Sequence, residues 1–102
     1  MVKRKIVWKV KANQERKAIL EYWIKRNKSK SYSIKLNLLF IETTKQIAEH
    51  PTIGRKTEYK NVRVKVIRDY LLFYEYDKIQ LQVLAIWDSR RDKTELKINN
   101  EL

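Results

Sequence analysis

The chain of 102 residues has no cysteine, one glycine, one proline and one histidine. Each scarcity removes a class of structure. Without cysteine there is no disulfide scaffold and no thiolate metal site, and the redox compartment stays open. With so little glycine and proline, and 43% hydrophobic residues, the chain is expected to be ordered with short loops. No apolar run approaches a membrane span. The opening MVKRKIVWKV is too short and too alternating for a signal peptide, so the expected location is cytoplasmic, with no membrane partner. No phosphate loop, metal-ligand spacing or nucleophile–base pair is found, so no cofactor or metal is expected. A chain of this length holds one core and one domain, residues 1–102, with 92–102 as a last helical turn or a flexible end.

Positive charge is abundant. Lysine and arginine number 24 against 12 acidic residues, a formal net charge of +12. Such a surface favours anionic partners: nucleic acid, a ribosome surface or an acidic protein. Many of the lysines only occupy solvated helix positions. Arginine is the sharper signal, because its planar fork fits phosphate and carboxylate.

The first strand is expected over Val2 to Val10, with Ile6 and Trp8 inward and Lys3, Lys5 and Lys9 guarding an open edge. A helix follows to about Asn27, with Asn13 as candidate cap and Ile19, Leu20, Trp23 and Ile24 on one stripe. The polar NKSKS break offers Ser29 or Ser31 to cap a second helix. That helix is apolar over a wide arc: Tyr32, Leu36, Leu39, Phe40, Thr43 and Ile47 on one face, Ile34, Leu38, Ile41 and Ala48 on the next. It is therefore expected to be covered on two sides. The short break makes the two helices an antiparallel hairpin. His50-Pro51 stops the second helix, and Gly54 supplies turn flexibility.

From Asn61 to Arg91 the chain reads as three antiparallel strands. Val62, Val64 and Val66 share one face of the first, with Arg63 and Lys65 on the other. Arg68-Asp69 and Asp77-Lys78 are turns, and the strands Tyr70 to Tyr76 and Ile79 to Trp87 are apolar enough to be covered on both faces. The fold class is α+β, in the order β-α-α-β-β-β. An antiparallel sheet, built from the N-terminal strand and a C-terminal three-strand meander, packs against a helical hairpin. The partner of the first strand is left open. Arg63, Lys65, Arg68, Arg90 and Arg91 are the candidates for a basic binding site beside the sheet. His50, at a helix end, reads as structural. Tyr70, Tyr74, Tyr76 and Trp87 read as core, and Asp88 as a local ion-pair partner of the adjacent arginines.

This order, with IVWKVKA, ILEYWIKRN, IAEHPTIGR, VRVKVIRDYLLFYEY and VLAIWDSRRD in sequence, resembles the RelE/ParE superfamily of toxins from bacterial type II toxin–antitoxin systems. The HPTIGR turn and long helices look closer to the ParE-like branch. The resemblance implies a growth-inhibiting, plasmid-stabilising toxin neutralised by a cognate antitoxin in a hetero-oligomer. The implied target is DNA gyrase for a ParE-like member, or the ribosome and its messenger RNA for a RelE-like endoribonuclease. A third alternative is an inactive relic that only binds antitoxin or DNA. In the ribonuclease reading Arg63, Lys65, Arg90 and Arg91 would be catalytic. However, Leu71 stands where that pattern has an arginine, and no tyrosine or histidine follows Asp92. The reading therefore leans away from an enzyme.

Overall fold

The computed structural model describes residues 4–90; Arg91 and the expectation for the tail lie outside them. Five strands and two helices run in the order β1 (Lys5–Trp8), α1 (Val10–Asn27), α2 (Ser31–Glu49), β2 (Arg55–Lys56), β3 (Arg63–Ile67), β4 (Tyr70–Tyr76) and β5 (Gln80–Asp88). The sheet order is β1-β5-β4-β3-β2. The meander is as expected, with one short strand added at its start. β1 lies at an edge and runs parallel to β5, so the sheet is mixed. A parallel partner is possible because the helical hairpin carries the chain back across the sheet before the meander begins.

Both faces of β4 and β5 are covered. Tyr70, Leu72, Tyr74, Leu81, Val83 and Ile86 join Leu36, Phe40 and Ile47 of α2 in one cluster. Leu71, Phe73, Leu84, Ala85 and Trp87 form a second cluster with Val62 and Val64. The switch of side along β5 comes from a bulge. Phe73 pairs with Ala85 but Tyr74 pairs with Val83, which leaves Leu84 as the extra residue. Consecutive Leu84 and Ala85 then face the same side, a departure that simple alternation does not reveal.

Several local readings are corrected. α1 starts three residues before Asn13, with Lys9 as its cap and no side-chain capping bond. Asn13 instead accepts a hydrogen bond from Arg16 Nη2 at 2.7 Å, while the Arg16 guanidinium lies 4.3 Å from the Trp8 ring centroid. Val10 is drawn into the helix start and is exposed. α1 ends at Lys28 in the left-handed region, φ 53°. The cap of α2 is Lys30, without a side-chain capping bond, rather than either serine; Ser29 Oγ instead accepts the N–H of Ser31, the first residue of the helix. The second face of α2 is buried only at Ala48: Ile34 and Leu38 are 57% and 53% exposed, because α1 and the sheet both lie on the Leu36–Phe40–Ile47 side. Val66 is also exposed, near the margin of the second cluster.

α2 ends at Glu49, and Pro51–Ile53 form a 3-10 turn. Gly54 follows with φ −77° and ψ 156°, an extended conformation open to any residue. Its role is proximity, not flexibility. A Cβ built there would lie 2.8 Å from Cε1 of Tyr74. The Tyr74 hydroxyl accepts the Gly54 N–H at 3.0 Å and donates to the Pro51 carbonyl at 2.6 Å. Tyr74 is fully buried, and the bond from Gly54 is made away from water while that to Pro51 is partly shielded. Arg4 makes a similar tie at the same end of the strands, donating to the carbonyls of Asp77 and Ala48.

Tyr74→Phe should therefore cost about 1–3 kcal/mol, since it strands a buried N–H and a carbonyl together. Gly54→Ala should also destabilise, because the added methyl meets a ring with nowhere to go. Urea denaturation of both variants checks this; a Gly54→Ala variant as stable as the parent would contradict it.

Candidate functional site

The basic candidates do not converge. Arg63 pairs across β3–β4 with Tyr74, and Ile67 pairs with Tyr70. At about 3.3 Å per residue, four residues of β4 separate the two ends by about 13 Å. Arg68 lies at the Tyr70 end, in the β3–β4 turn with φ 54°. Arg90 is at the same end, because Ser89 N–H donates to the Asp69 carbonyl at 2.8 Å. Lys65 sits midway, half-buried and opposite Leu72.

Arg63 is committed to the fold. Its Nη1 donates to the Gly54 carbonyl at 2.7 Å and lies 3.4 Å from that of Thr52. The guanidinium thereby joins Tyr74 in fixing the passage from α2 to β2. Arg90 is committed differently. Its Nε and Nη2 form a fork on the two Asp88 oxygens at 3.0 and 2.8 Å. That pairing raises the Arg90 pKa above its ordinary value, but the pair is exposed and contributes little to stability.

The Tyr70 end holds a groove of about 340 Å³ between α1 and the end of β5. Ala18, Ile19, Tyr22, Tyr70 and Ile86 give it an apolar lining, with Glu15, Asp88 and Arg90 also lining it. Trp23 Nε1 donates to the Tyr70 hydroxyl at 2.8 Å beneath. The groove exists because β1 stops short. Its last pair is Trp8 with Val83, so β5 from Ala85 onward has no strand on that side among the described residues. Glu15 Oε1 accepts the Ile86 N–H, which no strand among the described residues takes on that side, at 3.0 Å. Neither Glu15 nor the groove was anticipated. A single glutamate in the second turn of a helix carries no sequence signal for such a reach.

Proton-transfer chemistry finds little support in this geometry. His50 is exposed at the end of α2. Burial raises the pKa of both Tyr70 and Tyr74, moving each further from neutral pH and from the range useful to a general base. Leu71 faces the second apolar cluster, away from Arg63. Among the described residues no group of three His, Cys, Asp or Glu side chains could hold a metal ion, and no helix is long and apolar enough to cross a membrane.

A helical hairpin over a mixed sheet, with β1 beside β5, is the fold of RelE/ParE-like toxins. It is shared with a solved structure described as the chromosomal ParDE toxin–antitoxin system of P. aeruginosa, with a TM-score of 0.70 at 18% identity, over 81% of this chain and 92% of that one. Residues 6–93 match the family model for the ParE toxin of the type II toxin–antitoxin system parDE, and the chain belongs to that family. No curated protein matches the sequence.

Arg63→Ala should lower stability by about 1–2 kcal/mol through loss of a charge-assisted bond, whereas Arg90→Ala, which removes an exposed pair, should leave the melting temperature essentially unchanged. Thermal unfolding of the pair separates these roles; equal melting temperatures would contradict the assignment of Arg63. Alkaline pH gives a second check. Tyr70 and Tyr74 are raised above 10.0 in the folded state, so their contribution is complete below pH 10 and is lost as pH rises through the folded values. Urea midpoints should fall more steeply above pH 10 in the parent than in Tyr74→Phe.

Proposed function

We propose that this toxin acts by binding protein, inhibiting DNA gyrase, and that a cognate antitoxin holds it silent in the cytoplasm. The observation that carries the reading is the family match over residues 6–93. The dispersal of the basic residues supports it further. Arg63 lies beside Tyr74 and Arg90 beside the Asp69 turn at the other end of β4, so two of the residues a ribonuclease would need do not converge on one phosphate. Growth inhibition, and plasmid stabilisation where the pair is plasmid-borne, are its expected consequences.

The antitoxin segment is assigned to the groove between α1 and β5. A peptide strand beside the end of β5 would take over the Ile86 N–H from Glu15 and use the main-chain groups beyond it, and the apolar floor offers anchor points for its side chains. Tyr22, 50% exposed at the rim, supplies an aromatic contact of the kind that dominates binding energy.

Induction of the chain alone in bacteria, with DNA supercoiling and messenger RNA ends followed in the same cells, tests the target. Altered supercoiling with intact messages is expected. Codon-phased RNA cuts would replace this reading with the ribonuclease one, and normal growth with neither change would leave a relic. The groove is tested separately: Tyr22→Ala with Ala18→Arg should weaken capture of the co-expressed antitoxin by at least about tenfold. Undiminished capture would move the antitoxin elsewhere.

A further inference from the structure

The turn joining β2 and β3 encloses a second pocket of about 410 Å³, at the opposite end of the sheet from the groove. Lys56, Lys60 and Arg63 line it with Tyr59, Asn61 and Tyr76, and no carboxylate does. We propose that this pocket binds the phosphate of a nucleotide, either free or within a single strand. The proposal stands on the pocket alone and does not depend on the gyrase or antitoxin reading.

The arrangement of charge is the first reason. Lys56 and Arg63 are direct cross-strand partners, and like charges so placed repel one another. Neither they nor Lys60 has an ion-pair partner among the described residues. An anion between them turns that repulsion into attraction. Arg63 is also held in position, since Nη1 is fixed on the Gly54 carbonyl and the rest of the fork is oriented before a ligand arrives.

The turn is built rather than loose. Thr57 Oγ1 accepts the Tyr59 N–H at 3.1 Å and donates to the Val62 carbonyl at 2.9 Å. Thr57 N–H reaches the same carbonyl at 3.1 Å, and Val62 N–H reaches that of Tyr59 at 3.2 Å. Asn61 closes the turn with φ 64°. The cations are therefore presented by a braced loop, which reduces the ordering that binding must impose.

The aromatic lining favours a nucleotide over an acidic peptide. Tyr59 and Tyr76 line the pocket beside the cations. Each is partly buried, Tyr59 against the second cluster and Tyr76 against the first with Arg4 over its ring, so the accessible part of each ring offers a base an aromatic contact while the cations meet the backbone. Glu75 and Asp77 line the depression beyond Tyr76 and turn a polyanion back toward β2.

The test uses the purified full chain and fluorescence anisotropy with a labelled oligothymidylate. Lys56→Ala/Lys60→Ala removes two charges at the pocket. Lys17→Ala/Lys25→Ala removes two exposed charges from α1 and controls for general attraction. The pocket pair should weaken binding at least about tenfold and flatten the plot of log affinity against log salt by about 1.4, at roughly 0.7 per phosphate contact. The control pair should change affinity by less than about twofold. Thymidine monophosphate as competitor separates the sources: displacement indicates a free nucleotide, and its failure indicates a strand. Equal losses in the two variants, no binding by the parent, or equally tight binding of an oligoglutamate would each overturn the proposal. None of those outcomes alters the supercoiling result.

Discussion

The two hydrogen bonds of the Tyr74 hydroxyl are the constraint on which the arrangement depends. The chain leaves α2 at a proline, turns once, and must enter the sheet within a few residues. Those residues expose main-chain groups that neither the helix nor the sheet satisfies. One buried phenol satisfies two of them, at Pro51 and Gly54, and Arg63 satisfies a third. The only glycine follows from this, because a side chain at position 54 would fill the space the ring needs. Where β2 lies, and hence how the turn before β3 is presented, is fixed by the same contacts.

A high net charge does not make a catalytic cluster. Twelve net positive charges are distributed here by the needs of the fold. Arg4 secures the β4–β5 turn to α2, Arg16 stacks on Trp8, and Arg63 braces the α2 exit. The remaining basic surface divides between the two ends of the sheet. That division keeps Arg63 and Arg90 from meeting on one phosphate, as transition-state stabilisation by both would require.

Element type and order were legible because their signals are periodic. Alternation marked the meander, the i,i+4 pairs of α1 marked its buried stripe, and His50-Pro51 marked the end of α2. What was not legible is set by contacts between distant residues. Asn13 looked like a cap, but Lys9 already follows β1 closely enough to start the helix. Ile34 and Leu38 looked covered because periodicity records hydrophobicity, not how many layers are available. Leu84 breaks the alternation of β5 through a pairing irregularity that leaves no trace in composition. For the site, sequence reasoning chose arginines near strand ends and missed Lys56 and Lys60. The RKTEYKN segment reads as an ordinary solvated turn until its pairing sets Lys56 opposite Arg63.

The separation of the two candidate surfaces has a physical consequence. The groove ends at Tyr70 and the basic pocket at Tyr76, six residues apart along β4, or about 20 Å. They also lie at opposite edges, one beside β5 and the other beyond β3. A peptide that fills the groove and extends β5 therefore leaves the β2–β3 turn uncovered. Both surfaces are nonetheless borne by one continuous strand pair, packed on both faces and fully buried at Leu72 and Tyr74. Neither site can shift much without displacing that core. Any influence of one ligand on the other must then come chiefly through charge, which at this distance is already weakened by physiological salt. The separation therefore favours independent occupation of the two proposed sites.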